Sequence, residues 1–150
     1  MENIRLKITG KHIHDDDTEE DQLEFDTEGK LYSRNGIIYL TYDESYISGL
    51  EGCRTRLTLD GNKVKMTRKG SAVGIDTEIH FEKGCRYNGI YDTPYGPVEM
   101  EVLTNSLANT VTREKGGVVD IDYSISLKGL SEGRSRLNIT VSKNAWKKYM

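Results

Sequence analysis

Apolar residues recur at every second position in short runs along this chain. The runs are Ile4, Leu6, Ile8; Leu57, Leu59; Ile75, Ile79, Phe81; Val98, Met100, Val102; and Val119, Ile121, Tyr123, Ile125, Leu127. Side chains two residues apart share one face of a strand, so each run describes a ribbon with one dry and one wet side. Such runs recur between turn residues from end to end, and almost nothing reads as a long helix. The pattern predicts an all-β chain.

The first strand is expected from Ile4 to Ile13 and the second from Gln22 to Ser33, with the acidic stretch Asp15 to Asp21 as a solvated hairpin tip between them. Asn35-Gly36 accepts positive φ and folds the third strand, Ile37 to Tyr46, back on the second; Asp60-Gly61 does the same between Arg54–Leu59 and Lys63–Arg68. Lys69-Gly70-Ser71 turns the chain into Gly74–Glu82, and Lys83-Gly84 leads into Cys85–Asp92. Thr93-Pro94-Tyr95-Gly96-Pro97 is a turn at a rim, because proline cannot donate to a ladder. Glu99 to Val111 is long for one strand and calls for a bulge near Thr104 to Ser106; Val118–Lys128 and Arg136–Ser142 complete the order. Ser48-Gly49-Leu50-Glu51-Gly52 has room for a bend or a single helical turn.

Sequential hairpins leave two unpaired sheet edges unless the sheet closes on itself. The connections are too short for the crossovers of a Greek-key sandwich, so a closed antiparallel up-and-down β-barrel of about eight to ten strands is expected. Its interior would hold one small ligand.

Composition narrows the function classes. The chain of 150 residues suits one domain, with 35% hydrophobic and 30% charged residues. With 21 basic against 24 acidic residues the net charge is −3, which supplies no electrostatic reason to bind nucleic acid. No charged and then apolar leader opens the sequence, and no run nears the roughly 20 apolar residues of a membrane helix, so a cytoplasmic location without membrane contact is expected. Cys53 and Cys85 lack metal-ligand or redox spacing and read as small buried or half-buried thiols. Asn138-Ile139-Thr140 matches a glycosylation acceptor but falls inside the last strand.

The stretch Thr55-Arg56-Leu57-Thr58-Leu59-Asp60-Gly61-Asn62-Lys63-Val64-Lys65-Met66-Thr67-Arg68-Lys69-Gly70, with Tyr91-Asp92-Thr93-Pro94-Tyr95-Gly96 and Gly117-Val118-Val119-Asp120-Ile121-Asp122-Tyr123, resembles the YwiB-like family. The resemblance implies a calycin-type, lipocalin-like barrel in a cytoplasmic bacterial protein of Gram-positive origin, and it brings no known reaction. Two features of better understood calycins are missing. The Gly-x-Trp element near the first strand is absent, the sole tryptophan being Trp146, and Arg86 and Tyr87 are adjacent rather than spaced as the Arg-x-Tyr pair of fatty-acid carriers. Lipid carriage is therefore not carried over.

Three constellations bear on chemistry. Val64, Met66 and Arg68 share the interior parity of the fifth strand, which puts a guanidinium near one mouth where Tyr91 or Tyr123 meets it from inside, while Glu99 and Glu101 face out. The functional reading is an anion or carboxylate clamp; the ordinary reading, and the weightier one, is a rim arginine reaching solvent. His12 and His14 stand two apart, followed by Asp15, Asp16 and Asp17, a ligand set for Zn or Ni that competes with a wet-face placement of both histidines. His80 reads as exterior. The third strand is apolar or aromatic on both parities, Ile37 and Tyr39 against Ile38, Leu40 and Tyr42, so its outer side needs cover from the tail Trp146 to Met150, from Glu44 to Gly52, or from another molecule.

No activated thiol, serine elbow or phosphate loop is legible, so the expected protein is non-catalytic, with no metal or cofactor. It binds a small molecule in its cavity through Arg68, Tyr91 and Tyr123. The contrasting expectation is a protein-interaction or homodimer module that uses the outer face of the third strand.

Overall fold

The computed structural model describes residues 2–14, 20–44, 51–70, 74–93, 96–128 and 131–143. Ten strands organise them: β1 (Glu2–His14), β2 (Glu20–Arg34), β3 (Ile37–Asp43), β4 (Arg54–Asp60), β5 (Lys63–Gly70), β6 (Ile75–Glu82), β7 (Arg86–Thr93), β8 (Gly96–Asn109), β9 (Gly117–Leu127) and β10 (Ser131–Lys143). The sheet order is β6-β5-β4-β3-β2-β1-β10-β9-β8-β7, so two arms of consecutive hairpins meet where the first strand pairs with the last. That pairing runs antiparallel from Ile4↔Lys143 to His14↔Gly133. The result is an all-strand, antiparallel, ten-stranded and nearly closed barrel.

Local chemistry sets the turns. Asn35 and Gly36 have φ of 53° and 80°, the left-handed values at both central positions that a two-residue hairpin turn with the strands' own twist requires. The next tight hairpin sits one residue later than expected, since Asp60 pairs with Lys63 and leaves Gly61-Asn62 as the loop. The expected bulge in β8 is present as a register slip between Thr104 and Ser106. β3 stops at Asp43 instead of running to Tyr46, and the Glu44 N–H donates to the Cys53 carbonyl at 2.9 Å. Ser48-Gly49-Leu50 and the tail from Trp146 to Met150 lie outside the described residues.

Closure of the ring differs from the expectation of a continuous ladder. Between β6 and β7 the Asp76 N–H donates to Asp92 Oδ2 at 2.9 Å, and the Asp92 N–H donates to Thr77 Oγ1 at 3.4 Å. Side-chain oxygens thus take backbone donors where the two strands share no backbone ladder. The Tyr87 ring helps fill this seam, lying over Gly89 and stacking on His80 with centroids 4.7 Å apart. His80, Glu99 and Glu101 face solvent as expected.

A single core fills much of the interior. Leu6, Leu31, Leu40, Leu57, Leu59, Val64, Phe81, Val102, Val119, Ile121 and Ile139 are all essentially inaccessible. Cys53 joins the buried set, whereas Cys85, just before β7, is exposed, which corrects the expectation that both thiols are buried or half-buried; both are free. Among the described residues no helix is long and apolar enough to cross a membrane.

Candidate functional site

Antiparallel order gathers the C-terminal ends of the odd strands and the N-terminal ends of the even strands at one mouth of the barrel. Toward that mouth the inward positions change from aliphatic to polar on strand after strand. Leu40 gives way to Tyr42 and Glu44, Leu57 to Thr55, Met66 to Arg68, Ile79 to Thr77 and Ile121 to Tyr123. The same two-residue period that builds the core therefore builds a polar cluster on top of it.

Arg68 is the centre of this cluster. Its Nε is enclosed and meets no hydrogen-bond acceptor in the protein. The carboxylate it senses is Glu44, at the end of β3, and the phenol groups of Tyr42, Tyr91 and Tyr123, on β3, β7 and β9, also stand near it. Burial works against the guanidinium charge, but these partners outweigh it and hold the ion charged. The three residues expected to cooperate, Arg68, Tyr91 and Tyr123, are thus brought together at the mouth of the barrel; Arg68 as a whole is half-buried, in keeping with a rim arginine, while its Nε is enclosed.

Sequence reasoning missed three members. Tyr42 is 3% exposed, Glu44 6% and Thr55 0%, so these three members of the cluster are drier than Arg68 itself, which is half-buried. Burial pushes the Glu44 carboxyl up from its ordinary value, opposed by Arg68 and by the Tyr42 and Thr55 hydroxyls. Burial, reinforced by the Glu44 charge, pushes the Tyr42 phenol up as well. Those hydroxyls stand close enough to influence Glu44, yet Glu44 Oε2 and Thr55 Oγ1 lack a hydrogen bond of full geometry, as does Thr104 Oγ1 beside Tyr123. The available signal was parity: Tyr42 and Glu44 continue the inward series of Leu40, and Thr55 that of Leu57.

A second polar chain lines the β1–β10–β9 wall. His12 Nδ1 lies 2.6 Å from Ser135 Oγ, and Ser135 bonds the Tyr123 hydroxyl, whose pKa burial nevertheless raises. His12 therefore faces inward, correcting its wet-face placement, because it shares the parity of Ile4, Leu6 and Ile8. Among the described residues no group of three or more His, Cys, Asp or Glu gathers as a metal site; Asp15, Asp16 and Asp17 lie outside them.

The outer face of β2–β5 carries a concavity of about 950 Å³. Tyr32 stacks on Tyr39 at 4.7 Å and 10°, and Arg56 Cζ sits 4.7 Å from the Tyr39 ring centre. Neighbouring strands thus cover part of the outward aromatic parity of β3. Arg54 and Asp43 pair at 3.0 Å on the rim of this groove.

The fold and its lined interior define a small antiparallel β-barrel protein with a polar-ended core. The chain belongs to the family described as Domain of unknown function (DUF1934), whose model matches residues 6–139. It is similar to the uncharacterized beta-barrel protein YwiB of Bacillus subtilis (strain 168), with 25% identity over 130 residues covering 87% of each sequence. The crystal structure of the ywiB protein from Bacillus subtilis matches its fold with a TM-score of 0.80 at 21% identity, over 95% of this chain and 92% of that one.

Proposed function

We propose that the protein is a non-catalytic, cytoplasmic small-molecule binder that uses the interior of its barrel in the manner of calycins, holding its ligand through Arg68, Tyr91 and Tyr123. The observation that carries this reading is the enclosed Arg68 Nε, a charged donor with no protein acceptor. Leaving a buried polar atom unsatisfied costs about 1–3 kcal/mol, and more for an ion, so a fold that keeps one at its polar mouth is explained by a bound polar partner. The tyrosine hydroxyls both donate and accept, and so orient that partner above the apolar core.

Native mass spectrometry of freshly purified protein tests the proposal. A small co-purifying mass is expected from the wild type, and Arg68→Ala should weaken its retention roughly 10- to 150-fold, the worth of one charge-assisted hydrogen bond. Equal retention by both proteins removes Arg68 from the site.

A second reading rests on the groove of about 950 Å³ over β3, where Tyr39 and Arg56 are the kinds of residue that anchor protein interfaces. On that reading the same spectra contain a dimer or a captured protein, and Tyr39→Ala disperses it while Arg68→Ala does not.

A further inference from the structure

If the polar mouth binds a ligand as proposed, its unsatisfied atoms also specify the ligand's charges. Arg68 Nε is a donor without an acceptor, and Glu44 Oε2 is an acceptor without a donor. The two side chains sense each other's charge, yet among the described residues they form neither an ion pair nor a hydrogen bond. Each offers an enclosed, unsatisfied atom of opposite sign in the same polar mouth.

A simple anion satisfies only one half. Placed on Arg68 it would stand beside the Glu44 carboxylate, and like charges repel strongly where water is scarce. A simple cation has the converse difficulty with a guanidinium that does not give up its proton. A molecule with both signs on neighbouring atoms satisfies both halves and leaves the cluster neutral. We propose that the ligand is a zwitterion of the α-amino-acid type, its carboxylate taken by Arg68 and its ammonium by Glu44. Thr55 Oγ1, on a residue with 0% exposure and without a hydrogen bond of full geometry, accepts from the ammonium or donates to the carboxylate.

The test measures binding of the proteinogenic α-amino acids, and of acetate and propionate, to dialysed wild type, Glu44→Gln and Arg68→Gln by thermal shift and titration calorimetry. Wild type should bind at least one amino acid and neither simple acid. Glu44→Gln should bind that amino acid roughly tenfold or more weakly and should gain affinity for propionate, because the repelling carboxylate is gone. Arg68→Gln should bind neither the amino acid nor propionate. Removal of a buried, unpaired charge makes Glu44→Gln a variant expected to fold.

Failure separates cleanly. No amino acid bound by wild type, propionate bound as well as the amino acid, or unchanged amino-acid affinity in Glu44→Gln each overturns the zwitterion. An Arg68→Gln protein that keeps its ligand overturns the interior site itself.

Discussion

Glu44 sits where its charge is unwelcome, and this gives the protein a distinctive pH response. Burial raises its pKa in the folded state, with Arg68 and the two hydroxyls opposing only in part. The folded protein therefore binds the proton more tightly than the unfolded chain between the ordinary carboxylate value and the raised one, and stability falls as pH climbs through that window. Asp122 behaves oppositely. Its carboxylate accepts from Arg134 Nε at 2.8 Å and Nη2 at 2.7 Å, which lowers its pKa, so its contribution is present above the ordinary value and is lost as pH falls through the lowered one. The two windows lie on opposite sides of the usual carboxylate pKa. Glu44→Gln should raise the melting temperature near neutral pH and flatten the upper window, with the acid limb unchanged. Melting curves recorded from about pH 3 to 8 check this; a wild-type slope surviving in the variant acquits Glu44.

At the scale of the strand, β2 serves two partners over different lengths. It pairs with β1 from Glu20 to Leu31, but with β3 only from Gly29 onward. Gly29 stands at the point where the third strand joins, and a Cβ there would lie 2.5 Å from the Thr41 carbonyl oxygen and 3.0 Å from Leu6 Cδ1. Backbone cannot yield as a flexible side chain does, so Gly29→Ala should lower stability by about 1–3 kcal/mol in urea unfolding. It should also disturb Tyr42, whose Cβ is 3.4 Å from the same position, and with it the polar mouth. Gly10→Ala is the control on the neighbouring strand: nothing lies within 4 Å, and the change should be close to neutral. Equal stability of the two variants would mean that β3 can shift to accommodate a methyl group. The turn at Asn35-Gly36 and the bulge near Thr104 were legible because each follows from local conformational preference. The end of β3 was not, because inward alternation continues through Tyr42 to Glu44 after the ladder with β4 has stopped at Asp43↔Arg54.

On the scale of the whole barrel the weak line is the β6–β7 seam. Every other neighbouring pair shares a ladder, while this one depends on the Asp92 carboxylate, the Thr77 hydroxyl and the Tyr87 ring. Opening should begin there, since local stability follows the density of backbone pairing and buried contact. In hydrogen exchange the Asp76 amide should be protected in wild type and exchange several-fold faster in Asp92→Ala, consistent with a net hydrogen bond of about 1 kcal/mol. Asp92→Asn keeps an acceptor and should retain most of the protection. Amides of β1, flanked by ladders on both sides, should respond to neither change; a uniform response across the barrel would show that the seam opens only with global unfolding.

Alternation by itself determined which side chains point inward, because a strand sends successive residues to opposite faces whatever surrounds it. On that ground Val64, Met66 and Arg68, and Tyr123 with Ile121, were assignable to the interior from the sequence, and the short connections were enough to indicate a barrel. Only the tertiary structure decided which interior residues meet. The stagger of ten strands places Tyr42, Glu44 and Thr55 around Arg68, brings Tyr91 and Tyr123 to it from the other arm of the sheet, turns His12 toward Ser135, and puts the seam between β6 and β7. Proximity across a barrel depends on the offset between strands distant in sequence, and a two-residue period carries no record of that offset.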